Sequence, residues 1–253
     1  MAILVTNDDG YSEGLKILLE AAKSFDKKSY AITPHKQRSA VSKALTLHKP
    51  LRIHKLSKDI FELSGSPADC VTFGIFSKDF PKPSVVLSGI NWRDNTSIHS
   101  LFSSGTIAAS LESTIMGVPS IAFSLYRKPR EGWKQESSWY PKDKILYYTK
   151  LLIKKLKPHL KKDIFFNVNL PEKFNNPKIV VRAPQRYRFK VKIEKRKDPA
   201  GNFYYWITGP NADKIKGSDF YEVSTNNNIV ITPVSIDIVR TKDIDSLKKI
   251  KFQ

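Results

Sequence analysis

The sequence predicts an α/β protein with a Rossmann-like, doubly wound and mostly parallel sheet. Short runs of β-branched and apolar residues alternate with segments whose apolar residues recur at helical spacing. The strand runs are apolar on both faces, which is typical of parallel strands covered by helices on both sides. With 253 residues, of which 40% are apolar, the chain is long enough to bury the core of such a sheet.

The first half of the chain supplies most of these elements. Residues 3–5 predict a strand that ends at Asn7-Asp8-Asp9-Gly10, and residues 12–25 predict the helix that follows it. Ser66 is a candidate N-cap of a second helix. Further strands are predicted at 30–34, 83–88 and 120–125, and further helices at 67–75 and 104–116.

The second half begins in the same way and then changes character. A loop at 126–141, a helix at 142–160 and a strand at 164–170 come first, and strand-like segments follow at 180–195, 202–207 and 228–238. Pro199-Ala200-Gly201 predicts a hairpin turn between the first two of these segments. We therefore expect one domain over 1–253, with a core at 1–180 and a hairpin and C-terminal extension at 181–253.

The charge of the chain is unevenly distributed. Lys and Arg number 43 against 24 Asp and Glu, which gives a net charge of +19. Residues 1–124 hold 14 basic and 11 acidic side chains, whereas residues 125–253 hold 29 and 13. A basic surface attracts nucleic acid and other anions, so any such role would belong to the second half.

The composition also indicates where the protein acts. No apolar run approaches the roughly 20 residues that cross a bilayer, and the first residues lack the basic region of a signal peptide. The single cysteine, Cys70, cannot form an intrachain disulfide and is expected to be a small core residue. We expect a cytoplasmic protein that does not associate with membranes.

Two adjacent carboxylates, Asp8 and Asp9, follow the first predicted strand. Ligands of such sheets bind at the carboxyl ends of the strands, and neighbouring carboxylates need a cation or a proton between them. Mg²⁺ or Mn²⁺ would meet that need, and Ser39 and Asn95, which follow later strands, could supply neutral oxygen ligands. Each residue taken alone is more typical of a helix cap or an ordinary loop than of a metal site.

A second polar feature opens the helix at 104–116. Ser104, Gly105 and Thr106 combine two hydroxyls with the free N–H groups and positive dipole end of a helix, where phosphate commonly binds. Serine and threonine are also frequent as plain caps at this position. The predicted place of this feature, on the same sheet edge as the carboxylates, favours a shared site.

Several segments, in this order along the chain, resemble the survival protein SurE family. They are MAILVTNDDGYSEGL at 1–15, RSAVSKALTL at 38–47, GSPADCV at 65–71, PSVVLSGIN at 83–91 with Asn95, SGT at 104–106, GVPSIAFSL at 117–125, FNVNLP at 166–171 and residues 219–233. The resemblance implies a metal-dependent 5′/3′-nucleotidase that acts on nucleoside monophosphates. It also implies a homodimer or homotetramer whose subunits exchange the C-terminal hairpin.

The same resemblance assigns roles to residues by position. Asp8, Asp9, Ser39 and Asn95 match the ligands of one divalent ion per subunit, Mg²⁺ or Mn²⁺. Positions around the phosphate are matched by Asn91, Ser42, Ser104, Gly105 and Thr106. The chain departs from the family pattern at Trp92 and over 96–103, where small, glycine-rich and acidic residues are usual, so substrate preference is the property most affected.

The predicted reaction is hydrolysis of a phosphomonoester with the help of the cation. Asp8 or Asp9 could also accept the proton of the attacking water, and the sequence leaves that choice open. His35 and His99 lie in predicted loops at this edge, and simple loop placement is the favoured interpretation of both.

A different class of function is a nucleic-acid-binding protein without catalysis. The stretch RYRFKVKIEKRK at 186–197 is basic at alternate positions and contains two aromatic residues. Tyr204, Tyr205 and Trp206 on the hairpin could stack on bases or pack within an oligomer, and the family resemblance favours packing.

Overall fold

Strands and helices alternate along the chain in the computed structural model, which describes residues 2–128, 140–239, 241, 243–244 and 248–250. The strands are β1 (Ala2–Thr6), β2 (Tyr30–Pro34), β3 (Ile53–Ser57), β4 (Ile60–Leu63), β5 (Pro83–Asn91), β6 (Ser120–Leu125), β7 (Ile164–Leu170), β8 (Ile179–Val181), β9 (Lys192–Lys197), β10 (Phe203–Thr208) and β11 (Ile229–Ser235). The helices are α1 (Glu13–Lys23), α2 (Pro67–Phe76), α3 (Ser97–Ser103), α4 (Gly105–Ile115), α5 (Lys142–Leu156) and α6 (Asp219–Ser224).

Nine strands form one sheet in the order β3-β4-β2-β1-β5-β6-β7-β11-β8. Neighbouring strands are parallel except for the pairs β3/β4 and β7/β11. One apolar cluster joins the sheet to α1 and α5, and a second joins it to α2 and α4. Helices therefore cover both faces, and the predicted doubly wound, mostly parallel fold is confirmed.

The chain changes direction across the sheet between β1 and β5. From β1 it continues to β2 on one side, whereas β5 leads to β6 on the other side. In open α/β sheets the connections that leave two adjacent strands at such a switch point run in opposite directions. The carboxyl ends of these strands then border a crevice in which ligands bind. Residues 7–10 follow β1 and residues 92–96 follow β5, so both border this crevice.

Two polar N-caps fix the starts of helices beside the sheet. Ser12 accepts a hydrogen bond from the N–H of Leu15 at the start of α1. Ser66 and Asp69 form a capping box at the start of α2, as the sequence predicts for Ser66. Cys70 on α2 is fully buried in the core, in agreement with its predicted role.

The C-terminal hairpin is present as predicted. β9 and β10 pair antiparallel, with Lys197 opposite Phe203, and Gly201 adopts a positive φ of 86° in the turn between them. The strand predicted over 180–195 is wrong in its middle, because β8 ends at Val181 and β9 begins at Lys192. Several of the intervening residues bond to helices instead: the carbonyl of Gln185 accepts the N–H of Ile98 on α3, and the carbonyl of Ala183 accepts the N–H of Asp219 on α6.

Other differences from the sequence analysis concern short or peripheral elements. Strands β3 and β4 and helices α3 and α6 were not predicted, and α3 occupies part of a segment interpreted as a loop. The helix predicted over 142–160 ends at Leu156 and continues as a 3₁₀ turn over Lys157–His159. Residues 129–139 of the predicted loop at 126–141 lie outside the described residues.

The strand β11 returns the chain to the sheet after the hairpin. It pairs with β7 and β8, so residues on both sides of position 180 contribute to the same sheet. Across the described ranges, none of the helices has the length and apolar character required to cross a membrane.

Candidate functional site

The turn after β1 presents two carboxylates at the crevice. The Asn7 side chain donates to the carbonyl of Gly10 (2.8 Å) and to the Ser12 hydroxyl (3.0 Å), and it accepts the hydroxyl proton of Thr33 on β2. Gly10 has a positive φ of 77°, which a residue with a side chain rarely adopts. These contacts hold the backbone of Asp8 and Asp9 in a fixed turn.

Asp8 packs against the start of α4. The Thr106 hydroxyl donates to Asp8 Oδ1 at 2.6 Å. At Gly105 an added Cβ would lie 2.8 Å from Asp8 Cβ and 3.1 Å from Asp8 Oδ2, so the close approach requires glycine. Burial, and then the charge of Asp9, raise the pKa of Asp8 from its ordinary value of 3.8 to about 7, although the Thr106 hydrogen bond opposes the shift.

Asp9 lies on the open side of Asp8. Its Oδ1 accepts a hydrogen bond from Gln37 Nε2 at 3.3 Å, while its Oδ2 is buried and has no hydrogen-bond partner within the described part of the chain. Burial raises the pKa of Asp9, whereas Gln37, the N–H of Trp92 and the charge of Arg93 lower it. A buried carboxylate oxygen without a partner is costly, which favours a cation beside it.

The loop after β2 reaches Asp8 through its backbone. The N–H of Arg38 donates to the carbonyl of Asp8 at 2.7 Å, and the exposed Ser39 directly follows this contact. Ser42 lies further along, where its N–H bonds to the carbonyl of Ser103 and its hydroxyl donates to the carbonyl of Phe102 at 2.6 Å. In this arrangement the Ser42 hydroxyl is hydrogen-bonded to the last turn of α3.

Buried acids on two helices anchor the same loop. Lys43 Nζ lies 2.6 Å from Oε2 of Glu112, which is fully buried on α4. Thr46 donates its N–H and its hydroxyl to the two oxygens of Asp69 on α2, at 2.9 and 2.6 Å. The segment that holds Ser39 and Ser42 is thus tied at its far end to the core helices.

Asn95 is held at the carboxyl ends of β6 and β7. Its N–H donates to Asn169 Oδ1 and its carbonyl accepts from Asn167 Nδ2, both at 2.8 Å. Its side-chain Nδ2 donates to the Ser124 hydroxyl at 2.8 Å, and Oδ1 is the acceptor end of the same amide. The nearby Asn91 side chain turns back and donates to the carbonyl of Arg93 at 2.7 Å.

The start of α4 has a regular cap. Ser104 is the N-cap, and its hydroxyl accepts the N–H of Ile107 at 3.3 Å. The N–H and hydroxyl of Thr106 are both directed to Asp8. The positive end of the α4 dipole therefore faces the carboxylates, and an anion bound there would sit beside them.

The structure brings most of the predicted residues to one edge of the sheet. Asp8, Asp9, Gly105 and Thr106 are in contact, and we call them the β1 flank. Asn95 with Asp94, Ser124, Asn167 and Asn169 forms what we call the Asn95 flank, at the ends of strands β6 and β7 beyond β5. The side chains of Ser42 and Asn91 hydrogen-bond to nearby backbone carbonyls instead of to this group.

Sequence reasoning missed several supporting residues. Gln37 donates to the Asp9 carboxylate, Arg38 donates its N–H to the carbonyl of Asp8, and Asn167 and Asn169 hold the backbone of Asn95. Two asparagines at alternate positions inside an otherwise apolar, buried strand were the available signal, because buried amides need partners.

The donor set fits a hard divalent cation. Its groups are carboxylate, hydroxyl and amide oxygens, which Mg²⁺ and Mn²⁺ prefer. The buried Asp9 Oδ2 without a partner in the described part of the chain favours a cation beside the carboxylates. Among the described residues, no cluster of three or more His, Cys, Asp or Glu side chains could hold a metal, and a cation at this site would take its further ligands from neutral oxygens.

These features define a doubly wound α/β protein with an oxygen-rich site at the switch point of its sheet. The sequence profile of the family described as "Survival protein SurE" matches residues 3–191. The chain therefore belongs to the SurE family, as the sequence motifs predict.

Individual relatives agree over nearly the whole chain. The chain is 37% identical over 256 residues to a "5′-nucleotidase SurE" from Geotalea daltonii, with 98% of each chain covered. It is 38% identical over 242 residues to a protein of the same name from Thermofilum pendens, covering 93% of this chain and 91% of the relative. The crystal structure of the SurE protein from Aquifex aeolicus superimposes with a TM-score of 0.82 at 31% identity, over 98% of both chains.

Proposed function

We propose that this protein is a divalent-metal-dependent phosphomonoesterase that hydrolyses nucleoside 5′- and 3′-monophosphates to nucleoside and phosphate. The observation that carries the proposal is the pair Asp8 and Asp9 at the switch point, with one buried oxygen lacking a partner. Relatives named 5′-nucleotidase SurE at 37 and 38% identity support the reaction class. We expect the protein to act in the cytoplasm, as the sequence predicts.

Residues of both flanks, together with Ser39, bind the cation in this proposal. Asp8, Asp9, Ser39 and Asn95 would hold the cation, Mg²⁺ or Mn²⁺, with one ion per subunit. When bound, it supplies charge neutralisation for the phosphoryl oxygens and makes a bound water more acidic. Asp8 or Asp9 accepts the proton that the attacking water loses.

The start of α4 orients the substrate. Ser104, Gly105 and Thr106 place the positive end of a helix beside the carboxylates, where it stabilises the phosphate of the substrate. The Ser42 hydroxyl donates to the carbonyl of Phe102 and would need to release it to donate to the phosphate, whereas Asn91 Nδ2 has a second N–H besides the one that it donates to Arg93. Substrate binding is therefore expected to involve a local rearrangement at Ser42.

Phosphate release from a panel of nucleoside 5′- and 3′-monophosphates, with Mn²⁺ or Mg²⁺, tests the proposal. We expect turnover of several members of the panel and none in the absence of divalent ions. Turnover of 5′-substrates alone would restrict the reaction to one class of ester. Failure with every nucleotide and both metals would refute the proposed activity.

A second candidate function is nucleic-acid binding by the hairpin. Its ribbon combines Lys195 with the exposed rings of Phe203 and Tyr205, and the Lys195 Nζ lies 3.6 Å from the Phe203 ring centroid. Basic and aromatic side chains on one face suit single-stranded nucleic acid. A salt titration of single-strand and duplex binding tests this alternative, since phosphate contacts predict affinity that falls steeply with salt.

We also propose that the hairpin packs in a homodimer or homotetramer by exchange between subunits. Phe203, Trp206 and Ile207 are 54, 53 and 75% exposed in the single chain. An isolated two-stranded ribbon is at best marginally stable in water, so covering these side chains with another subunit would stabilise it. Sedimentation of the full chain with and without residues 192–208 tests this expectation.

A further inference from the structure

The segment that holds Asn95 is fixed from outside the sheet by the residues that precede the hairpin. We call residues 185–189 the hairpin root. The N–H groups of Ile98 and His99 on α3 donate to the carbonyls of Gln185 and Arg186, at 2.8 and 3.2 Å. The ring of His99 meets that of Phe189 edge to face, with 5.0 Å between centroids. Helix α3 is therefore docked on the hairpin root.

One ion pair stands out at this contact. Arg188 Nε donates to Asp94 Oδ2 at 2.8 Å, and Arg188 Nη2 donates to Asp94 Oδ1 at 3.1 Å. The two side chains are only 12% and 4% exposed. A bidentate pair of this kind fixes both distance and orientation, which a single contact with a lysine does not.

The guanidinium of Arg188 is itself held in place. It lies over the ring of Phe220 on α6, 3.9 Å from the centroid, and its Nη1 donates to Asn211 Oδ1 at 2.7 Å. Asp219, the neighbour of Phe220, accepts the N–H groups of both Ser97 and Gln185 at 2.7 and 3.0 Å. Helix α6, the hairpin root and α3 thus form one bonded unit.

The position of Asp94 links this unit to the site. Asp94 directly precedes Asn95, and it also accepts the hydroxyl proton of Thr96, which directly follows Asn95. Its carboxylate therefore closes the short turn in which Asn95 lies. On the other side, Asn167 and Asn169 hold the backbone of Asn95 from β7.

We propose that Arg188 is a positioning residue that sets the affinity of the site for its cation by fixing Asn95 through Asp94. The inference rests on the proposed role of Asn95 as a cation ligand. Residues that orient metal ligands without touching the metal typically change metal affinity by roughly 10- to 100-fold when mutated. The second half of the chain would thereby contribute to a site whose ligands all lie in the first half.

The test is direct Mn²⁺ binding to the full-length protein by titration calorimetry, alongside nucleotide turnover. We expect Arg188→Gln to weaken Mn²⁺ binding by roughly tenfold or more, with kcat at saturating Mn²⁺ much less affected. Arg188→Lys keeps the charge without the bidentate geometry and should recover only part of the affinity. Lys190→Gln is the matched control. Lys190 lies two residues after Arg188, and its ion pair with Asp213 is exposed.

A second variant covers the case in which Arg188→Gln does not fold. Breaking a buried pair leaves an uncompensated charge, whereas the double variant Arg188→Gln/Asp94→Asn removes both charges at nearly constant volume. We expect the double variant to fold and still to bind Mn²⁺ more weakly than the wild type. Wild-type Mn²⁺ affinity in a folded Arg188→Gln or double variant would overturn the inference.

The result for the wild type separates this inference from the proposed function. If the wild type binds Mn²⁺ and releases phosphate while the Arg188 variants do the same with unchanged affinity, only the positioning role is refuted. If the wild type binds no divalent ion, the proposed cation site fails and the role of Arg188 fails with it. A lower melting temperature with unchanged Mn²⁺ affinity would reveal a purely structural ion pair.

Discussion

The two flanks of the site are built from different parts of the chain. The β1 flank lies entirely within the first half of the chain: its carboxylates follow β1, and the start of α4 supplies the groups that touch them. The Asn95 flank depends on β7 and, through Asp94, on the hairpin root, both of which belong to the second half. The contacts of the first flank therefore need no residue of the second half, whereas those of the second flank do.

This difference predicts the largest effect for the carboxylates themselves. Asp8→Asn or Asp9→Asn removes a charge that the proposed cation requires, so we expect folded protein with turnover lowered by orders of magnitude. Phosphate release and circular dichroism measure the two properties. Asp79→Asn, an exposed carboxylate that precedes β5 at the opposite edge of the sheet, is the matched control.

A smaller but still large effect is expected from Gly105→Ala on the same flank. The added methyl would lie 2.8 Å from Asp8 Cβ and 3.1 Å from the carbonyl of Arg38, so Asp8 or the loop must move. Displacement of a reacting group by about 1 Å can cost about 100-fold in rate. We expect a loss of kcat/KM of this order together with weaker Mn²⁺ binding; unchanged kinetics would show that Asp8 tolerates the shift.

The raised pKa of Asp8 predicts how the stability of the metal-free protein depends on pH. Because the pKa rises from 3.8 to about 7 on folding, the folded state keeps a proton that the unfolded state has already released in this interval. Stability should therefore fall as the pH rises from about 4 to about 7. Urea denaturation after chelation measures the slope, and Asp8→Asn should lack this component; identical slopes would contradict the prediction.

The smallest effect concerns the positive second half of the chain. Residues 125–253 carry 29 basic and 13 acidic side chains, a net charge of +16, which would raise the local concentration of anionic nucleotides at low salt. We expect kcat/KM to fall as ionic strength rises while kcat stays constant. A kcat/KM that does not vary with salt would leave the charge without a part in substrate capture.

The sequence predicted the fold where local patterns decide it. Apolar strands such as 164–170, the N-cap Ser66 and the turn at 199–201 all have short-range signals, and the structure contains each of them. Helix α3 could not be predicted in the same way, because its first N–H bonds to Asp219, more than 100 residues away. The break between β8 and β9 has the same cause, since residues 185–188 bond to α3 and to Asp94.

The residues of the site also differ in whether a short-range sequence signal predicts them. Asp8, Asp9, Ser39 and Asn95 were predicted from their positions after strands, and Ser104, Gly105 and Thr106 from the start of a helix. The family resemblance added Asn91 and Ser42. The supports of Asn95, which are Asn167, Asn169 and Arg188, come together only through the order of the strands and the packing of the hairpin root. Their partners are distant in sequence, so spacing alone gives no indication of them.

The most direct test of the proposed function is phosphate release from AMP by protein that has been stripped with EDTA and then titrated with Mn²⁺. We predict no turnover after chelation and recovery that saturates at one ion per chain, with Asp9→Asn recovering little at any Mn²⁺ concentration. Full activity of the thoroughly stripped protein, or no activity with Mn²⁺ present, would contradict the assignment of Asp8 and Asp9 to a catalytic cation site.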